Sequence, residues 1–150
     1  MRAGGSRLAA AGASVQDAGM ERALGIGGVF LRSRDPRALA RWYAEHLGIP
    51  AMVEGESEST WWTDAGATVF APFPADTDYF GRADQQVMLN YRVLRLDAML
   101  AQLRGAGVEV LDRVEELPGI GRFGWAVDPD GNRLELWEPA PDSREAAAGE

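Results

Sequence analysis

The sequence predicts an α+β domain built from two βαβββ modules. Three observations carry that expectation. Short segments with alternating apolar and polar residues are separated by turn residues, and two longer segments show helical spacing with capping residues at their ends. The same order of elements then recurs after roughly sixty residues, which marks an internal duplication and not a short-period solenoid.

The first module spans residues 24–74. Leu24–Arg32 opens it as a strand, with Val29 and Leu31 on one face and Gly28, Phe30 and Arg32 on the other. A helix follows, with Asp35 as N-cap, Pro36 at its first position and Gly48 at its exit. Leu39, Trp42, Tyr43 and Leu47 fall on one stripe of that helix and are expected in the core. Ala51–Glu56, Ser59–Thr63 and Thr68–Phe73 read as three short strands. Residues 75–84 are a linker. The loop Phe73–Asp84 carries Tyr79 and Phe80 and reads either as a lid or as a plain connection between modules.

The second module spans residues 85–139. Gln86–Val93 is its first strand, with Val87, Leu89, Tyr91 and Val93 on one face and Met88, Asn90 and Arg92 on the other. Asp97 is the expected cap of a helix carrying Leu96, Met99, Leu100 and Leu103, which ends at Gly105 and Gly107. Val108–Asp112, Arg122–Asp128 and Arg133–Glu138 complete the set. The stretch Trp125–Pro139 reads as a hairpin whose turn, Asp128–Asn132, combines Pro129, Gly131 and side chains that bond nearby backbone. Beyond the turn, Leu134 and Leu136 face a packed layer, while Arg133, Glu135 and Trp137 share the opposite face. With one helix per module on one side of each sheet, the other faces enclose a concave space, the place to look for function.

Composition narrows the function. A net charge of −8 argues against nucleic acid or an anionic membrane as partner, because both need clustered basic residues. The chain has no cysteine and one histidine, His46, which excludes thiolate metal sites, Cys nucleophiles and any site needing two His from one chain. No apolar run approaches the ~18 residues a membrane span requires. Residues 1–23 and 140–150 read as disordered tails, and Met20 is compatible with being the working start of the natural chain.

The helix segment DPRALARWYAEHLGI, the segment LDAMLAQLRGAGVEV and the hairpin DPDGNRLELWEP, in this order, resemble the vicinal oxygen chelate superfamily. That group contains glyoxalase I, bleomycin-resistance proteins and extradiol dioxygenases. The resemblance covers about Leu24 to Pro139 and implies the glyoxalase/bleomycin-resistance fold, a half-open barrel of mixed and antiparallel sheet. It also implies a homodimer in the cytoplasm. In metal-dependent members it implies a divalent ion held by His, Gln or Glu from the first and last strand of each module. Carried over one position at a time, these places hold Gly28, Phe70, Met88 and Glu135. Only Glu135 is a suitable donor, whereas a catalytic metal normally takes about three protein ligands. No metal and no cofactor are therefore expected.

Glu135 is the sharpest candidate, as general acid or base or as a hydrogen-bond anchor; its bland alternative is a salt bridge to a nearby Arg. Phe30, Trp61, Phe70, Met88, Trp125 and Trp137 would line an apolar small-molecule pocket around it. Adjacent Trp61 and Trp62 must point to opposite faces, so at least one looks inward. Asn90 and Arg92 would orient a ligand carbonyl or carboxylate. His46, near the carbonyl end of a helix facing outward, reads as structural. The leading expectation is thus a small-molecule binder without the usual metal. Its alternatives are a metal-dependent lyase, isomerase or dioxygenase with ligands from unexpected positions, and a non-enzymatic interaction module with a collapsed cavity.

Overall fold

A computed structural model describes residues 19–50 and 60–141. The chain divides into two compact units, Met1–Arg32 and Ser33–Glu150. In the first, residues 19–32 form no helix or strand, and Leu24 and Phe30 are exposed. The strand expected at Leu24–Arg32 therefore forms no ladder among the described residues. Of the tails expected at residues 1–23 and 140–150, residues 1–18 and 142–150 lie outside the described residues, as does the expected strand Ala51–Glu56.

The second unit is α+β, as its patterning predicts. Helix α1 is Pro36–Leu47, capped as expected: the Asp35 carboxylate accepts from the Ala38 N–H at 3.0 Å. Gly48 closes it in the left-handed region at φ 67°, where the lack of a Cβ removes the steric penalty. Strand β1 is Asn90–Arg92, helix α2 is Leu96–Gly105, and four strands follow: β2 Glu109–Val110, β3 Glu115–Leu117, β4 Gly121–Val127 and β5 Arg133–Pro139. They form one open mixed sheet in the order β1-β5-β4-β2, with β3 also on β4. β1 runs parallel to β5, and every other pair is antiparallel.

The hairpin β4–β5 organises this sheet. Asp128, buried, holds its turn from one carboxylate: Oδ1 accepts from the Asp130 and Asn132 N–H groups at 2.9 and 3.0 Å, and Oδ2 from the Asn132 amide at 3.0 Å. The Tyr43 hydroxyl donates to the same Oδ2 at 2.8 Å, which fastens α1 to the turn. Leu134, Leu136 and Ala126 then pack against Leu96, Leu100 and Leu103 of α2 and Leu39 and Tyr43 of α1. Each such Leu contributes about 1.5–3 kcal/mol by leaving water. Gly124 lets α2 approach closely: a Cβ there would stand 3.0 Å from a Leu100 methyl.

Four details differ from the sequence expectation. Asp97 does not cap α2; the Glu138 carboxylate reaches from β5 and accepts from the Leu96 N–H at 2.6 Å, while Asp97 pairs with both Arg122 amines at 2.9 and 3.1 Å. The strand expected at Val108–Asp112 is confined to β2, and β3, not expected from the sequence, pairs with the other end of β4. The ladder of Gln86–Val93 is confined to Asn90–Arg92, flanked by Glu135 N–H on the Leu89 carbonyl and Val93 N–H on the Trp137 carbonyl. Finally, residues 60–73 carry no strand, and Trp62 and Phe70 are 89% and 90% exposed. Isolated short strands are marginal in water, so segments lacking a neighbouring edge leave their apolar alternation unburied.

Candidate functional site

The cross-strand register places one row of residues on the sheet face away from the helices. Asn90 on β1 is level with Glu135 on β5, and Glu135 is level with Trp125 on β4. Directly opposed residues project to the same face, so the three side chains meet. The Asn90 amide donates to Glu135 Oε1 at 2.6 Å, and the Trp125 indole N–H donates to Oε2 at 3.0 Å. The Tyr79 hydroxyl, arriving from the loop after Phe73, donates to the same Oε2. Glu135 is 7% exposed and Trp125 fully buried, while Asn90 remains exposed and leaves the row open on one side.

The site is therefore a buried carboxylate whose described hydrogen-bond partners are neutral donors. Among the described residues no Arg forms an ion pair with Glu135, so the salt bridge weighed from sequence is not made. A nearby cation serves the rings: the Arg113 guanidinium lies 4.4 Å from the Trp125 ring centroid and 6.0 Å from that of Tyr79. Arg113 also approaches the Glu115 carboxylate at 3.6 Å. Tyr79 stands edge-on to Trp125, with centroids 6.0 Å apart at 89°, and stacks on Phe73 at 5.3 Å. Its hydroxyl is held well above the usual tyrosine range, first by burial and then by the Glu135 carboxylate that accepts its proton. It is thus a donor throughout the neutral range.

The other sequence-predicted positions scatter. Trp137, two residues along the same face, stacks on Phe123 at 6.0 Å and donates its indole N–H to the Ile120 carbonyl at 3.0 Å. Arg92 faces the same way, but its guanidinium is taken by the Asp64 and Ala65 carbonyls at 2.7 and 3.1 Å. Met88 is half-buried just before β1. Trp61 lies 6.3 Å from Tyr91, whose ring neighbours Tyr43 on the helix side, so it does not reach Glu135. Phe70 is exposed, and Phe30 belongs to the other unit. His46 packs on Trp42 of its own helix, 5.2 Å between rings. An open groove of about 390 Å³ lies at the far end of the hairpin, lined by Leu117, Gly119, Arg122, Glu138 and Pro139, and none of the residues singled out from sequence borders it.

Arg113 escapes sequence reasoning, because it sits in a stretch with no periodic signal. Tyr79 is visible there only as one aromatic residue of a candidate lid loop, and nothing local says that it reaches a strand 56 positions later. The donor set does not suit a divalent ion. Glu135 is the one carboxylate in the row, both of its oxygens accept hydrogen bonds, and the indole N–H is a donor only. Among the described residues no group of three His, Cys, Asp or Glu side chains could hold a metal ion.

A family model described as a glyoxalase-like domain matches residues 28–137. The chain therefore belongs to the glyoxalase-like domain family, within the vicinal oxygen chelate superfamily. Among solved structures it is similar to a glyoxylase/bleomycin resistance protein/dioxygenase domain from Frankia sp. EAN1pec. That match has 21% identity and a TM-score of 0.53, covering 79% of this chain and 100% of the other. It is also similar to the antibiotic binding protein TnmS3 from Streptomyces sp. CB03234, with 25% identity, a TM-score of 0.47 and coverage of 80% and 100%. A superfamily member from Sphaerobacter thermophilus DSM 20745 matches at 18% identity and a TM-score of 0.44, over 69% and 88%. No curated protein matches the sequence. No described helix is long and apolar enough to cross a membrane.

Proposed function

We propose that this chain, acting as one domain over residues 24–139, binds a small organic molecule on the Glu135 face of its sheet, without a divalent metal. One observation carries the reading. A buried carboxylate with no cation partner among the described residues sits between an exposed amide, Asn90, and an aromatic wall of Trp125, Tyr79 and Phe73. Burying a carboxylate is costly, and a fold needs no such group for packing, whereas a few placed polar groups on an apolar wall are the usual make-up of a ligand site. Glu135 is the anchor, Asn90 positions it, and Trp125 supplies apolar contact.

The test is a thermal-shift panel of small aromatic and aliphatic compounds on the intact chain, followed by calorimetry on Glu135→Gln. A ligand at a hundred times its Kd raises stability by about 2.7 kcal/mol, well within detection. The expected result is at least one saturable ligand whose affinity falls about tenfold or more in Glu135→Gln, the size of a lost hydrogen bond to a charged group. A panel without any shift, or equal affinity in the variant, overturns the reading.

In the same reading the chain is a cytoplasmic homodimer. Support for a second copy comes from exposed Phe30, Trp62 and Phe70 and from β1, whose outer edge has no partner strand among those described. Light scattering should give twice the chain mass of 16.2 kDa, and a single-chain mass at micromolar concentration would rule the dimer out.

A further inference from the structure

We propose that Tyr79 is a built-in occupant of the Glu135 site, and that the ligand which replaces it carries an aromatic hydroxyl. The inference rests on the reading of the Glu135 face as the binding site, and it adds both a ligand class and a moving part.

Tyr79 occupies that face as a ligand would. Its ring lies on Phe73 at 5.3 Å and an interplanar angle of 24°, meets Trp125 edge-on, and ends in a hydroxyl that donates to Glu135 Oε2. It belongs to no helix or strand, and the loop around it is held by its own turns and, further along, by Arg82 on the Asp130 carbonyl and Gln85 on the Arg133 backbone. Thr77 N–H donates to the Pro74 carbonyl at 3.0 Å, Gly81 N–H to the Asp78 carbonyl at 3.1 Å, and Tyr79 N–H to the Thr77 hydroxyl at 3.2 Å. Apart from the hydroxyl itself, the hydrogen bond that ties Tyr79 to the sheet runs from Arg133 Nη1 to its carbonyl at 3.2 Å. Swinging the ring out by side-chain rotation thus breaks the hydroxyl's bond and the ring contacts, while the loop's anchors at Arg82 and Gln85 stay in place.

What can take its place is set by Glu135. The carboxylate only accepts, so a newcomer that cannot donate leaves a buried charged oxygen short of a partner. A ketone or an ether fails on that ground. A planar ring bearing a hydroxyl reproduces both features of Tyr79, its stacking and its donor, and the Arg113 guanidinium beside Trp125 and Tyr79 favours an electron-rich ring there. Selection by a donor group is the stronger kind, because it penalises the analogue lacking it.

The test uses the intact chain with Tyr79→Gly and Tyr79→Phe. Opening the site with Tyr79→Gly should allow p-cresol to bind saturably, about tenfold tighter than its methyl ether. In Tyr79→Phe the ring remains but its bond to Glu135 is gone, so naphthol should bind more tightly than it does to the native chain. If Tyr79→Gly does not fold, the Tyr79→Phe comparison decides alone. Equal binding of cresol and its ether, no binding of either by a folded Tyr79→Gly, or unchanged or weaker naphthol binding by Tyr79→Phe overturns the proposal. These failures are separable from failure of the site. A panel ligand that depends on Glu135 without carrying a hydroxyl leaves the site standing and removes the phenol class.

Discussion

The two faces of the β1–β5–β4 sheet are made from alternate residues of the same strands, yet they do different work. On one, Ala126, Leu134 and Leu136 meet the leucines of α2 and the Leu39–Tyr43 stripe of α1, and the polar contacts, Tyr43 on Asp128 and Glu138 on the Leu96 N–H, lock helices to the hairpin. On the other, Asn90, Glu135 and Trp125 form a polar row under aromatic rings, and the cover is a loop instead of a helix. One face stores stability. The other holds a buried carboxylate among neutral donors and aromatic rings, and that contrast is the physical basis of the proposed function.

The largest expected effect breaks the helix face. Leu136→Ala removes a fully buried side chain between β5 and α2, and the cavity it leaves should cost about 2–5 kcal/mol. Chemical denaturation should show the loss as a lower midpoint at unchanged slope. Glu135→Gln, one position away, should lower the midpoint far less, because it keeps shape and volume and Asn90 and Tyr79 are not fully buried. Comparable losses from the two would mean that the open face is structural after all.

How much of this was legible in sequence follows from how local each cause is. Asp35, Pro36 and Gly48 delimit α1 because capping depends on neighbours a few residues away, and the alternation of Arg133–Glu138 assigns Glu135 to its face for the same reason. The first module repeats that local pattern, but Leu24–Arg32 and residues 60–73 pair with nothing among the described residues. Alternation states which residues want burial, not which edge will receive them. The cap of α2 shows the same limit from the other side: Asp97 has the right chemistry next to the helix, and Glu138, some forty positions away, makes the bond. Within the site, Glu135, Asn90 and Trp125 were reachable from strand alternation, whereas Tyr79 and Arg113 enter through loop geometry that no periodicity encodes. Trp61, Phe70 and Phe30 were placed beside Glu135 by assuming a completed first module; Trp61 lies by Tyr91 instead, Phe70 is exposed, and Phe30 falls in the other unit.

The smallest expected effect sharpens the contrast through pH. The chain has three tyrosines, two of them on the helix side and Tyr79 on the open face. All three are held above the usual tyrosine range, chiefly by burial. Tyr91 is pushed up to about 12, Tyr43 rises further with Tyr91 and Asp128 beside it, and Tyr79 is raised also by Glu135. Because the folded state keeps these protons more tightly, their contribution to stability is complete below pH ~10, where both states are protonated. It is lost as pH rises above that value, since the unfolded chain then ionises first. Tyr43, bonded to Asp128 in the core, can ionise early only by global unfolding. Tyr91, half-buried and pushed up to about 12, begins to ionise within the folded chain near pH 12. Tyr79, on a loop and outside the helices and strands, can ionise by local opening. Tyrosinate absorbance between pH 10 and 12 should therefore show an early phase, absent in Tyr79→Phe, that precedes loss of helix signal, with Tyr43 appearing together with unfolding. Ionisation of Tyr79 only as the helices melt, together with Tyr43, would place it in the same cooperative unit as Leu136, and the distinction between a storing face and a moving face would fall with it.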